Sequence, residues 1–385
     1  MNNKQIIILF ATVSNLLSCI NNKSGESEKN IDNNYSVSLV IDNNVKFKLD
    51  EVSNFSPFSL QYIDDGDEQY LLTDNPNTIS IDVYSFSKKK LIHRIFVNDN
   101  STLLTNNIHG FRAINKDSIF AYKNFNMSPI LIVLNDWKVK TRKMYKVINP
   151  KTQTVFFNHG SMTPSPSLII ENKIYFTELP IADISALIGT GYSPEMIYDY
   201  QKDTTYSSGM TWPSSYDNDW KDLFLYLKTH DDQGKVVYSW QGSHDLMIKT
   251  QDSIYQVHAK ADDFEKQIQY ASGKTIDDNL IESNQYSLVL YDRYREVYYR
   301  YALHGIPARD NDNQSRSHHD QPFSIIILDK NFKKIGETYL QAGKYNGKDS
   351  FVGKEGLYIS NHNLRNYEML GENIMSFSCF KLMDL

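Results

Sequence analysis

The chain has 385 residues, with 40 Lys and Arg against 46 Asp and Glu, and a formal charge of -6 with histidine neutral. That balance gives no general attraction to nucleic acid or anionic lipid, so it argues against nucleic acid as a partner and against membrane attachment through a basic face. Aromatics make up 13% of the residues, led by 26 Tyr and 19 Phe, a composition that suits a strand-rich fold with a large core.

The first segment, MNNKQIIILFATVSNLLSC, places one positive charge at Lys4, an apolar run over residues 6–13, and small residues beside Cys19. This is the layout of an export signal, and the run is too short for a permanent membrane span. The stretch "LLSC" resembles the lipobox of bacterial lipoproteins, which implies acylation of Cys19 as the first mature residue. Acyl chains such as palmitate would then hold the protein to a bilayer. A buried N-terminal strand or helix is the competing reading, but it lacks a capping residue and an amphipathic period. The expected organisation is therefore a signal peptide over 1–18, a lipidated flexible tether over 19–34, and a single domain over 35–385. The expected location is the cell envelope, at the outer membrane, facing the periplasm or the exterior.

Beyond the tether the periodicity is that of short strands: "TISIDVYSF", "DSIFAY", "ILIVLNDW", "KIYFTEL", "KVVYSW", "FSIIILDKN" and others, separated by Asn, Asp, Gly and Lys turns. Only "PIADISALIGTGYSPEMIYDY" reads as one or two short helices. A strand with a polar lead-in recurs at "NKDSIFAY", "ENKIYFTE", "TQDSIYQVHA" and "GKEGLYISN". Hairpins accompany these copies, with Asp or Asn at the reversal to accept backbone hydrogen bonds.

Each such meander has a face it cannot bury alone, and radial stacking hides that face. The fold class expected is all-β, a β-propeller of six or seven blades built from antiparallel meanders, with an insertion near 179–221. A large sandwich or two tandem β domains is the alternative. The C-terminal "NIMSFSCFKLMDL" reads as a last strand, and "YSVSLVI" near the N-terminus as the strand that closes the same blade.

Four stretches, "SSGMTWPSSYDNDW", "SLVLYDRYREVYYRYAL", "PFSIIILDKNFKKIGETYL" and "SFVGKEGLYISN", together with the lipobox, resemble the bacterial family catalogued as domain of unknown function 4221. The resemblance implies a secreted, propeller-like lipoprotein typical of the Bacteroidota. It carries no activity and no catalytic residues to transfer.

Candidate chemistry is sparse. His109, His159 and His304 each precede a glycine and His244 lies in "GSHD"; these loops either converge on a polar funnel or serve separate structural roles. Adjacent His318 and His319 in "RSHHD" point apart in an extended chain and chelate one ion poorly, and "DDGDE" (64–68) reads as a solvated turn. No metal, cofactor, nucleophile elbow or phosphate loop is expected, and catalytic residues stay unassigned.

Two surfaces suit ligand binding. In the first, Trp212, Tyr216 and Trp220 form a stacking platform with Asp217 and Asp219 as hydrogen-bond acceptors, unless the rings plug a gap between blades. In the second, Arg293 and Arg295, with Arg300, stack on tyrosines as an anion-accepting face, unless they make rim salt bridges. Cys379 reads as a buried thiol. The expected function is binding of a glycan, peptide or envelope protein at a loop-rich face. The alternatives are a polysaccharide or peptide hydrolase or lyase with a central-funnel site, and a structural subunit of an envelope assembly.

Overall fold

The computed structural model describes residues 35–98, 108–123, 128–148, 160–177, 186–213, 216, 223, 225–265, 274–365, 371 and 373–385. The Cys19 and tether expectations lie outside these residues. The chain from Tyr35 to Leu385 forms one compact unit, in an all-β, propeller-like arrangement.

A long strand, β1 (Val37–Lys48), comes first. Meanders follow in chain order: β2 (Leu60–Asp64), β3 (Gln69–Asn75), β4 (Ser80–Ser85) and β5 (Lys90–Phe96); then β6 (Ile108–Asn115), β7 (Ser118–Lys123), β8 (Ile130–Asn135) and β9 (Lys138–Met144). The next holds β10 (Leu168–Ile170), β11 (Lys173–Thr177), β12 (Glu195–Asp199) and β13 (Thr204–Ser207). It is followed by β14 (Tyr226–His230), β15 (Val236–Trp240), β16 (Asp245–Lys249) and β17 (Ile254–His258). A short helix, α1 (Ile276–Glu282), precedes β18 (Gln285–Asp292), β19 (Val297–Leu303), β20 (Phe323–Asp329) and β21 (Lys334–Leu340). The last strands are β22 (Asn346–Val352), β23 (Leu357–Ser360) and β24 (Ile374–Asp384).

Among the described residues, four sheets are four-stranded meanders, and a fifth has eight strands in the order β2-β3-β4-β5-β1-β24-β23-β22. Within it, β1 runs antiparallel to β24 from Val37 opposite Asp384 to Lys48 opposite Ile374. It touches β5 only through a parallel pairing of Lys48 with Lys90. The two chain ends therefore lie in one sheet, as the strand reading of "YSVSLVI" and "NIMSFSCFKLMDL" expected.

Burial follows position in the meander. β4, β12 and β15 are buried throughout, whereas the last strands β9, β13 and β17 are largely exposed. Apolar clusters lie between successive meanders: Leu72, Ile81 and Val83 against Phe111, Ile119 and Ile132, then Phe120 and Tyr122 against Ile174 and Tyr198. Another joins Phe47, Phe377 and Cys379 of the terminal strands to Leu71, Tyr84 and Phe86 of the first meander. Face-to-face burial of this kind is the main stabilising contribution, because no meander has a core of its own. Cys379 is a free, buried thiol. Among the described residues no helix is long and apolar enough to cross a membrane.

Asp side chains hold the hairpin reversals. Asp231 Oδ1 accepts from Gln233 N (2.9 Å) and Lys235 N (2.8 Å), and Asp329 Oδ1 accepts from Asn331 N (2.8 Å) and Lys333 N (2.9 Å). Between β8 and β9 the two loop residues Asp136 and Trp137 both take positive φ, the form that matches the twist of the flanking strands.

Three expectations need correction. The stretch 179–221 is not an insertion, because it supplies β12 and β13 to a regular four-stranded sheet. Within it, "EMIYD" is a strand and not a helix; it is buried on both faces, so its sequence shows no alternation. The copy "TQDSIYQVHA" supplies β17, a fourth strand, while the other three copies supply the second strands β7, β11 and β23. That mismatch in register explains the uneven spacing of the repeats.

Candidate functional site

The first strand of each meander faces a common axis. A cavity of about 370 Å³ is lined by β2, β6, β10, β14, β18 and β22, each contributing residues from its own course. Toward the beginnings of these strands it adjoins a wider funnel of about 1000 Å³, the two sharing Met162 and Pro166. The segments that lead into the first strands, together with the β19–β20 connection, build the funnel wall. Close chain approach shapes it: Gly110, at φ 95°, pairs with Ser161, and a Cβ there would sit 2.1 Å from the Ser161 carbonyl oxygen. Only glycine fits.

The funnel has an apolar side and a polar floor. Phe58 is 57% exposed within the lining, and Met162 and Leu225 are exposed beside it. On the floor stand Lys348 and Asp349, from β22, and His318, from a 3-10 turn over His318–Asp320 in the β19–β20 connection. Ser317 caps that turn: its Oγ accepts from His319 N at 3.3 Å while Asp320 Oδ2 accepts from Ser317 N at 2.8 Å. Arg365 Nη2 in turn holds Asp320 at 2.8 Å, and Asn363 Nδ2 donates to the His319 carbonyl at 2.9 Å. The turn is thereby locked, with the two imidazoles 4.0 Å apart.

The electrostatics of the floor are unusual. Desolvation, and after it the charge of Lys348, push His318 down to about 3, so the ring is neutral at physiological pH. His319 is lowered for the same reasons. Burial, followed by the nearby Asp74 carboxyl, pushes Asp349 up to about 7 against the opposing pull of Lys348. Asn346 Nδ2 donates to Asp349 Oδ2 at 2.7 Å. Asp74 is itself pushed up to about 6 by burial, although Ser59 N donates to its Oδ1 at 2.7 Å. Lys348 is exposed yet its ammonium is lowered by desolvation, the combination expected of a cation reaching into a concave wall. Such a floor can hold a polar or charged group, and its carboxyl can exchange a proton near neutrality.

The residues singled out from sequence lie elsewhere. Trp212 is 6% exposed, packed 6.1 Å from Tyr192 and 5.9 Å from Trp240. Tyr216 is also 6% exposed; its hydroxyl donates to the Leu223 carbonyl at 2.7 Å and accepts from Gly242 N at 2.8 Å. These two rings fill the core between meanders and present no open stacking face, because a ring that packs on two neighbours has no apolar side left for a ligand. Asp217, Asp219 and Trp220 lie outside the described residues.

Arg293 pairs with Asp232 at the narrow cavity, and Arg295 binds Asp292 Oδ2 (2.8 Å) and the Lys354 carbonyl (2.9 Å). Both make rim contacts, not tyrosine stacks. Arg300 is the one that stacks, 3.5 Å over Tyr286, and it is fully buried. None of the described histidines of the His-Gly and "GSHD" motifs lines the funnel: His244 Nδ1 meets the Tyr286 hydroxyl at 2.7 Å and His304 Nε2 meets Ser324 Oγ at 2.7 Å, both rings packing on Phe264, while His109 lies within β6. His159 lies outside the described residues. "DDGDE" forms the β2–β3 turn, with Gly66 N donating to Asp64 Oδ1 at 3.0 Å.

Sequence reasoning missed Lys348, Asp349, Asp74 and Phe58, and weighed His318 only as a metal ligand. Among the described residues no three His, Cys, Asp or Glu side chains are grouped to hold a metal ion. No local pattern marks "GKDS" as special; its chemistry comes from burial and from residues distant in sequence.

The family model for the domain of unknown function DUF4221 matches residues 36–339. The chain belongs to the DUF4221 family. A crystal structure of a DUF4221 member from Bacteroides vulgatus matches with a TM-score of 0.75 at 23% identity, covering 92% of this chain and 100% of that one. A putative exported protein from Bacteroides fragilis matches with a TM-score of 0.51 at 8% identity, over 91% and 95% of the two chains. At these identities the likeness is one of fold. No curated protein matches this DUF4221 chain.

Proposed function

We propose that this DUF4221 protein is a six-bladed propeller, anchored to the cell envelope through acylated Cys19, that binds a segment of glycan or peptide in its axial funnel. The blade count rests on dividing the eight-stranded sheet at its single parallel contact, Lys48 with Lys90, into two antiparallel four-strand runs. The observation that carries the binding function is the funnel itself: about 1000 Å³, bounded by loops from different sheets, with exposed Phe58, Met162 and Leu225 facing a polar floor. Sugars and peptides both present apolar and hydrogen-bonding faces, and this volume matches the upper range of ligand pockets. The funnel replaces the Trp212–Trp220 surface as the preferred site.

A second reading, a hydrolase or lyase, is favoured by Asp349, whose carboxyl sits at about 7 on the same lining as neutral His318.

The test is a glycan and peptide screen of the purified full-length protein. Binding that Phe58→Asp and Leu225→Asp abolish, with the ligand recovered intact, is the expected result. Binding that survives both variants removes the funnel from consideration. Cleavage of the ligand that Asp349→Asn abolishes moves the assignment to the enzyme reading.

A further inference from the structure

We propose that the funnel floor around Lys348 is a carboxylate-binding subsite, so that the ligand carries a free carboxyl group, as in a uronic acid or a peptide C-terminus. The inference rests on the funnel being the ligand site and adds the chemistry of what it recognises.

The geometry begins with unpaired charge. Lys348 lines the funnel, and no ion pair or side-chain hydrogen bond engages its ammonium among the described residues. Arg316 and Arg309 line the same wall from the β19–β20 connection; Arg316 donates only to the Pro307 carbonyl at 3.3 Å, and Arg309 donates to the Asn313 carbonyl and Ser315 Oγ, each at 3.4 Å. Three cations on the lining of one concave site, none with a carboxylate partner among the described residues, is an arrangement that an anion completes. Asp277 and Asp278 stand on the lining too, but on the α1 side.

A second observation lies beneath Lys348. A small chamber of about 20 Å³ shares Lys348, His318 and Gln321 with the funnel. Gln321, Tyr345 and His319 line it, and Gln321 Oε1, Tyr345 Oη and His319 Nδ1 are buried without a hydrogen-bond partner among the described residues; Tyr345 Oη and His319 Nδ1 can donate to a ligand oxygen, whereas Gln321 Oε1 can only accept. Gln321 is 3% exposed and Tyr345 5%. Buried polar atoms carry a cost unless something polar meets them. A chamber of this size admits one water or one ligand oxygen, not a larger group.

At the chamber itself Lys348 is the one cation of the three, and with the neutral donors Tyr345 Oη and His319 Nδ1 it matches a monoanion. A phosphate monoester carries about two charges and calls for more converging donors than the chamber provides. Asp349, the carboxyl nearest in sequence, does not cancel the cation fully because its ionisation is suppressed by burial.

Paired probes test the idea by calorimetry on the full-length protein: methyl glucuronide against methyl glucoside, and trialanine against trialanine amide. At least one carboxylate probe is expected to bind about tenfold more tightly than its neutral partner, in line with one charge-assisted hydrogen bond. The pair that shows the preference identifies the source of the carboxylate. Lys348→Met should remove the preference and Lys348→Arg should retain most of it, with unfolding curves showing that each variant is folded under the binding conditions. Equal affinity within both pairs, no carboxylate binding at millimolar concentration, or a preference that survives Lys348→Met overturns the subsite. If neutral ligands still bind and still lose affinity in Phe58→Asp, the funnel reading stands while this assignment falls.

Discussion

Single residues in this protein carry costs that only their surroundings explain. Arg300 is buried without a carboxylate partner, yet it donates to Ser239 Oγ (3.0 Å) and to the carbonyls of His244 (2.8 Å), Ala259 (2.9 Å) and Ser243 (2.7 Å). Its guanidinium thus replaces the water it loses with acceptors on the adjacent meander. Asp349 has no comparable compensation, and the sign of its pH effect follows. A carboxyl pushed from 3.8 to about 7 binds more protons in the folded state than in the unfolded one. Stability contributed by that proton is present at low pH and is lost as pH rises through this window. Asp349→Asn should therefore unfold at the same temperature as the parent at pH 4 and at a higher temperature at pH 8. The gain is on the order of 4 kcal/mol, since each tenfold change in proton affinity corresponds to about 1.4 kcal/mol. Thermal unfolding at the two pH values checks it, and a variant less stable at pH 8 would show that the ionised carboxylate is stabilising.

Among elements, the pairing of β1 with β24 matters most. These two strands pair residues near opposite ends of the chain along their whole length, with one register shift between Ile41 and Asn43, and Phe47 from β1 packs 5.1 Å from Phe86 and 6.3 Å from Phe377. Phe47 has no exposed surface. Phe47→Ala should cost about 3–5 kcal/mol, the range for a buried phenylalanine, and lower the urea midpoint without changing the slope. A loss below about 1 kcal/mol would show that the sheet closes without this contact. Elsewhere, buried Lys228 on β14 meets Glu195 on β12 at 2.7 Å, and Tyr238 on β15 donates to the same carboxylate at 2.6 Å. Such a pair specifies how two meanders dock more than it adds net stability.

At the scale of the whole molecule, the proposed acylation of Cys19 sets a prediction separate from the fold. Replacing Cys19 with serine should move the protein from the membrane to the soluble fraction, or leave its precursor unprocessed, and should remove the acyl mass from the mature chain. A parent protein that is neither acylated nor membrane-associated rules out the lipid anchor.

Much of the architecture is legible in sequence because exposed and half-buried strands announce themselves by alternation and their turns by Asp and Asn. The hairpins around Asp231, Asp292 and Asp329 are cases in point. Strands buried on both faces, such as β12, lose that signature. The helix α1 escapes a reading built on strand periods, although Thr275, whose side chain accepts from Asp278 N, is an ordinary N-cap signal.

The amino-acid order by itself determined the all-β class and the meander as the repeated unit, since these depend on neighbours in the chain and on period, and it marked a strand at each chain end, whose pairing is a tertiary contact. Tertiary structure alone decided that Trp212 and Tyr216 are core, and that Lys348, Asp349, His318 and Phe58 share a funnel. Desolvation and through-space charge act between residues far apart in the chain, and no local pattern encodes them.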